Sequence, residues 1–395
     1  MGRWRDTWIL GREGLRLARR ELTRSLTRRP PTRHTGSAEE ICRAIVDEVW
    51  NGRYLQAGVD HLDQFWIRDV AITLEGLIDL GQSDRVEQSL VWAFEAWRKA
   101  GRITTTVFPF GEAVDIFTYS CDSLPFLLYC LERLGLDELR HEHRDLLNRE
   151  AELYQRILVD PHTGTLRHDR MFSSTKDTMH FTGTCAATCM LGWCHDLLER
   201  AEGLENPLVG LGTRAALDEW FWTGSFFRND VDSLDLCSAD ANFWPWWCGL
   251  IDDDARLKSA IEAMVDRGLD HPFPLKYHAL RMPERELELQ RVFLPNYQGD
   301  AIWTFFTCQW IELVHRVDPE RAKGYIRSYD RMLEQHGTWI EVFDPSGDTP
   351  LKGRFGHGSD WAMIWAASFP RVRRLVLDEA EPSASPTPET ERETA

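Results

Sequence analysis

Residues 64–76 read QFWIRDVAITLEG, with Trp66, Arg68 and Asp69 crowded just ahead of an amphipathic helix. An aromatic face, a guanidinium and a carboxylate at one helix entrance make either a polar N-cap beside an ion pair or one wall of a binding site. The placement recurs. Asp122 in TYSCDSLPFLL, Asp177 in SSTKDTMHF, Asp240 in CSADANFWPWW, Asp300 in PNYQGDAIWTFF and Asp360 in GHGSDWAMIWAA each stand in a polar loop before an apolar helix, 53 to 63 residues apart. Asp is a favoured N-cap, because its carboxylate accepts from free helix N–H groups and suits the positive end of the helix dipole. Half or more of the six are therefore expected to serve mainly as caps. Six at regular spacing, flanked by Trp, Phe, Tyr, Arg, Lys and His, also gather polar and aromatic groups around one mouth. Other chemistries lack their signatures: there is no P-loop, no GxGxxG after a strand, no HExxH and no GxSxG.

The elements that must carry these loops are helical. AEEICRAIVDEVW, VAITLEGLIDLG, VEQSLVWAFEAWRKAG, SLPFLLYCLERLG, REAELYQRILVD and AIWTFFTCQWIELVHRV repeat apolar residues at three- and four-residue spacing. Several end in Gly or Asp-Pro, the expected stops. Convincing alternating strands are nearly absent. Paired helices with a polar loop before every second one describe six hairpins of about sixty residues, hence a closed all-α toroid of twelve helices, (α/α)6. The second helices, such as AIWTFFTCQWI and AMIWAASF, are apolar nearly all round and suit an inner ring; the openers carry a clearer charged face.

Of the 395 residues, 43% are hydrophobic and 28% charged, ample for a large core. The net charge of -17 argues against nucleic acid as the main partner, because phosphate binding wants a basic face. No apolar run reaches a membrane span. Residues 1–34 hold ten Arg and three acids and read as a basic helical extension, packed on the domain or making a weak peripheral contact with an acidic surface. Residues 35–376 form the barrel, and 377–395 have the Pro, Ser, Thr and Glu bias of a disordered tail. The nine cysteines form no CxxC pair. Cys185, Cys189 and Cys194, with His195, are expected as buried thiols of a helix core in preference to a zinc site. An odd count without paired spacing fits a reducing cytoplasm.

The pattern resembles the (α/α)6 glycoside hydrolases, especially the family 63 processing glucosidases with their bacterial relatives and the glucosidase domains of glycogen-debranching enzymes. FWIRD is similar to their W-x-R-D entrance in the first hairpin. FSSTKDT sits where they carry a loop ending in the catalytic-acid Asp, although Ser-Thr-Lys-Asp departs from the usual Trp-x-Asp. GTWIEVFDPSGDTPLKGRFGHGSDWAMIWAA resembles their last-hairpin element, a Glu followed by aromatic-Asp-Pro and a Gly-rich approach to the final helix. The likeness spans roughly residues 36–370. It implies an inverting hydrolase of a small α-glycoside, an α-glucoside foremost, with Asp177 as general acid and Glu341 as general base.

Glycoside hydrolysis needs one acid for the leaving oxygen and one carboxylate for water, about 6.5–9.5 Å apart when configuration inverts. The third and sixth hairpins of a six-fold ring face each other, which suits Asp177 and Glu341. Lys176 and Arg170 are close to Asp177 in sequence, and a neighbouring cation would lower the pKa that an acid needs raised unless Lys176 turns away. Arg68 and Asp69 are expected to clamp sugar hydroxyls and Trp66 to stack on a ring face. Among the 17 Trp residues, Trp244, Trp246, Trp247, Trp303, Trp339 and Trp361 also flank the mouth. Further wall candidates are Tyr119, Asp122, His168, Lys176, Asp240, Asn242, Gln298, Asp300, His357 and Asp360. No cofactor or metal is required. Two alternatives keep the fold: a sugar epimerase using His168, His180, His315 or His357 as acid and base, and a non-catalytic toroid that binds carbohydrate or protein.

Overall fold

The computed structural model describes residues 11–12, 16, 32–354 and 358–377. Most of the basic extension, the tail beyond Leu377, and His357 lie outside the described residues.

Six helical segments touch in sequence order and close on themselves. Ile67–Ile72 with Leu74–Asp79 packs on Ser123–Arg133, which packs on Cys185–Arg200, then Trp244–Trp247, then Thr307–Val317, then Phe369–Leu377, which returns to Leu74–Asp79. This is the inner ring of the (α/α)6 toroid. Its members are apolar on several sides: Ser123–Arg133 buries Leu124, Phe126, Leu127, Leu128, Cys130 and Leu131. Closure requires close backbone approach. A Cβ on Gly76 would lie 2.3 Å from the Ala367 carbonyl oxygen, so glycine is the residue that fits where the first and last inner segments meet.

The outer helices are amphipathic and firmly terminated. Ala38–Glu48 buries Ile41, Cys42, Ile45 and Val46 on one face and starts in a capping box, in which Ser37 accepts from the Glu40 N–H at 3.3 Å and Glu40 accepts from the Ser37 N–H at 2.7 Å. Pro319–His336 is opened by Asp318, which accepts from the Arg321 N–H at 3.1 Å, and is closed by Gly337 at φ 62°. Losing such a cap costs about 1 kcal/mol. All nine cysteines are buried free thiols, and Cys185 and Cys189 lie inside an inner helix, as a core role requires.

The six entrance aspartates correct an expectation. None caps its helix: Asp122 occupies an N-cap position without a side-chain capping bond, and Thr184 caps Cys185–Arg200. The reason is competition. Five of these carboxylates are engaged by buried cations, an indole or loop N–H groups. Asp300 Oδ1 is buried without a hydrogen-bond partner among the described residues, and the helix starts are left to backbone and to Thr184.

Two small antiparallel sheets fix the loops at the mouth. Strands β1 (Phe65–Trp66), β2 (Thr106–Val107) and β3 (Ala113–Val114) form one. Strands β4 (Ile302–Trp303) and β5 (Val342–Phe343) form the other, with Trp303 opposite Val342. That register, with a 3.2 Å bond from the Thr304 N–H to the Glu341 carbonyl, holds Glu341 beside the fifth hairpin.

Candidate active site

A cavity of about 420 Å³, its open mouth included, lies at the loop end of the ring. Leu62, Trp66, Arg68, Asp69, Thr175, Asp177, Tyr297, Gln298, Trp303, Phe305, Glu341 and Trp365 line it. Seven of these were expected from sequence: Trp66, Arg68, Asp69, Asp177, Gln298, Trp303 and Glu341.

Asp177 is buried on an irregular loop. Its Oδ2 accepts from Arg68 Nη1 at 2.9 Å, and Gln298 Nε2 approaches Oδ1 at 3.5 Å. Burial pushes its pKa up, against the opposing pull of Arg68. The feared influence of Lys176 does not arise. Its ammonium turns away to Asp240, at 2.9 Å, and to Asn229, over the rings of Phe181 and Tyr277. Arg170 is exposed and pairs with Asp169. Lys176 is therefore a core counter-ion and not a wall residue. Asp240 goes with it.

Arg68 lines the cavity, but its terminal nitrogens are already committed. Nη1 donates to the Ser174 carbonyl at 2.6 Å as well as to Asp177, and Nη2 donates to Asp122 at 3.3 Å and Ser173 Oγ at 3.4 Å. The expected sugar clamp is thus a cross-tie between the first three hairpins. Asp122, fully buried, serves as its second anion. Asp69 keeps the better claim on a ligand. One oxygen accepts from Trp365 Nε1 at 2.7 Å, and the other makes no hydrogen bond among the described residues. Burial raises its pKa to about 7.

Glu341 is completely buried on the other wall, without a direct Arg or Lys partner among the described residues. Its Oε1 accepts from the Tyr297 hydroxyl, and its Oε2 accepts from the Asp360 N–H at 2.8 Å. Burial first, then the charge of Asp360, raises its pKa to about 8. His61 stands 3.8 Å from Oε2 and 3.7 Å from Asp360. Asp60, His61 and Asp360 bring ligand-type atoms within 4.8 Å of one another. Both Asp360 oxygens, however, already accept backbone N–H bonds from residues 60, 62 and 361, so a structural tie accounts for this carboxylate.

The remaining expected wall residues belong to the frame. Tyr119 donates to Glu150 at 2.6 Å. Asn242 is saturated by backbone at Phe227 and Ser238. Trp244, Trp246 and Trp247 pack among aromatic rings, and Trp339 stacks on Tyr329 while donating to Thr304 at 2.9 Å. His168 packs edge-on to Trp220. Asp300, Trp361 and Asp360 also fall outside the lining. Long-range burial of aromatic and polar groups, invisible in local spacing, explains these displacements.

Sequence reasoning missed Leu62, Thr175, Tyr297, Phe305 and Trp365. Tyr297 had a signal, its place in PNYQGD beside Gln298. Trp365, four residues beyond Trp361, lies in the short helical segment Ile364–Ser368 and reaches the cavity, tilted against Trp303 at 5.8 Å.

No family model and no curated protein matches the chain. Solved structures do. A rhamnosidase from Klebsiella oxytoca with rhamnose bound is 16% identical at a TM-score of 0.60 over 89% of this chain, which spans 66% of that one. A glycosidase variant is 13% identical at 0.62, over 87% of this chain and 96% of that one. The GH63 mannosylglycerate hydrolase from Thermus thermophilus, with Tris and D-glycerate, is 13% identical at 0.56, over 85% and 99%. At such identity the likeness establishes the fold.

Proposed function

We propose that the chain is an inverting glycoside hydrolase acting on a small α-glycoside, an α-glucoside foremost. The observation that carries this reading is the pair of buried carboxyls, Asp177 and Glu341, in one cavity at the loop end of an (α/α)6 ring. In the reaction Asp177 gives its proton to the glycosidic oxygen as the bond to the anomeric carbon breaks. Water attacks that carbon from the opposite face and loses a proton to Glu341. The products are the free sugar of inverted configuration and the alcohol, and one water is consumed. Glucose in complexes of two of the solved relatives supports a glucoside.

One observation favours a second assignment of roles. Arg68 contacts Asp177 directly, whereas burial and the charge of Asp360 raise the pKa of Glu341 to about 8. With roles exchanged, Glu341 is the acid and Asp177 the base. Epimerisation by histidine pairs has no such support, since no histidine lines the cavity among the described residues.

The test is release of free sugar from a panel of aryl α-glycosides and natural disaccharides, with the first anomer identified by proton NMR. Inversion by the wild type, with loss of roughly a thousandfold or more in Asp177→Asn and Glu341→Gln, is expected. Net retention, or epimerisation without hydrolysis, overturns the reading.

A further inference from the structure

Two successive residues of one loop reach both cavity carboxyls. The Tyr297 hydroxyl donates to Glu341 Oε1. The Gln298 amide straddles Asp177 along the chain: Oε1 accepts from the Thr178 N–H at 2.8 Å and the Thr178 hydroxyl at 2.6 Å, while Nε2 donates to the Thr175 carbonyl at 2.9 Å. The same Nε2 lies 3.5 Å from Asp177 Oδ1, a weak contact beside the three firm ones. One wall of the cavity therefore touches the acid loop and the base at adjacent positions.

The loop is itself immobilised. Asn296 takes φ 65°, and its side-chain oxygen accepts from the Asp300 N–H at 3.2 Å. Glu286 accepts from the Asn296 N–H at 3.1 Å, and the Gly299 carbonyl accepts from the His278 N–H at 3.1 Å. The Tyr297 carbonyl accepts from the Trp303 indole. A Cβ on Gly299 would stand 2.3 Å from the Asn296 side-chain oxygen, so a larger residue there would push that side chain off the Asp300 N–H. Catalytic groups must be held within fractions of an ångström by partners whose own positions are locked, and this loop meets that condition.

We infer that the Tyr297–Gln298 dipeptide is a positioning element that fixes Glu341 and Asp177 relative to one another, Tyr297 acting on Glu341 and Gln298 on the Asp177 loop. The inference rests on the proposed hydrolase reading for its kinetic consequences, but its geometric content does not. Tyr297 supplies the only side-chain hydroxyl on Glu341 among the described residues. The other groups facing Glu341 are Asp360, Asp69 and His61. Removing the phenol hydroxyl leaves burial and two neighbouring carboxyls opposed by one backbone N–H and by His61, both present in the wild type as well, so Glu341 holds its proton more tightly in Tyr297→Phe.

Two measurements on the full chain test this. In a carbon-13 NMR titration of the glutamate carboxyls, assigned through Glu341→Gln, Tyr297→Phe should move the Glu341 midpoint upward by roughly one pH unit, a tenfold change in proton affinity. An unchanged midpoint overturns the inference whether or not the protein hydrolyses anything. In kinetics, a glycosyl fluoride, whose leaving group needs little protonation, is compared with an alkyl glycoside. Tyr297→Phe should lose roughly ten- to a hundredfold in kcat with KM within about twofold, and should share the two-substrate pattern of Glu341→Gln. Gln298→Met should share the pattern of Asp177→Asn. Equal losses by both variants on both substrates, tracking a lowered Tm, would mean a merely structural loop. Absence of wild-type hydrolysis with a shifted midpoint would fail the hydrolase reading alone.

Discussion

Asp177 and Glu341 line the same cavity but are held by opposite means. Asp177 lies against a guanidinium that also serves Asp122, in a buried network closed by the Ser174 carbonyl and the Ser173 hydroxyl. Glu341 is gripped by neutral donors, a phenol and one backbone N–H, with the acidic Asp360 beside it. Both are buried, so both bind protons more tightly than in water, yet a guanidinium in direct contact opposes the shift at Asp177, and no Arg or Lys contacts Glu341 among the described residues. The difference shows how one ring can give two like side chains unlike chemistry. Charge pairing ties one to the frame; the other is held by neutral donors, with burial raising its pKa.

Breaking the Arg68 side of this contrast should have the largest effect. Arg68→Met leaves Asp122 and Asp177 buried without their cation, and destabilisation of about 3–5 kcal/mol is expected in urea unfolding. A loss below about 1 kcal/mol would mean that the network contributes little beyond packing.

Breaking the Glu341 side should show in the pH dependence of stability. Its folded pKa, about 8, lies above the ordinary carboxyl value, so the folded state binds the proton more tightly. The resulting stability is present in full at acid pH, below the unfolded value. It is lost as pH rises through the folded value. Glu341→Gln should therefore flatten the decline of Tm between pH 5 and 8, by a few degrees at about pH 8. Parallel curves for variant and wild type would contradict the assigned environment.

The smallest change sharpens the picture at the sugar. Asp69→Asn can keep the bond to Trp365 through its amide oxygen while removing the carboxylate from the cavity. KM for the glycoside should rise roughly tenfold, with Tm within about 2 °C of wild type. Unchanged kinetics would return Asp69 to a purely structural role.

The same contrast explains what the sequence could disclose. Helical periodicity and the spaced aspartates carry the ring, because amphipathic pattern and repeat length are local properties of the chain. Asp69 and Asp177 were legible as spaced entrance aspartates, Gln298 from its polar loop, and Glu341 from the resemblance of its last-hairpin stretch, whereas Trp303, expected within a helix, stands on β4. Pairing was not legible. Whether Lys176 faces Asp177 or Asp240, and whether Arg68 is free for a ligand, depends on loops about 50 to 110 positions apart coming together. The role of Tyr297 is of that kind too, since its partner is 44 residues away.

The assignment of acid and base is tested most directly by the kinetics of Asp177→Asn on two substrates, an α-glucosyl fluoride and an alkyl α-glucoside. Fluoride leaves without help from an acid, so a variant lacking only the acid should retain near wild-type turnover of the fluoride while losing roughly a thousandfold on the alkyl glucoside. Comparable loss on both substrates, with Glu341→Gln sparing the fluoride instead, would contradict the account and exchange the two roles.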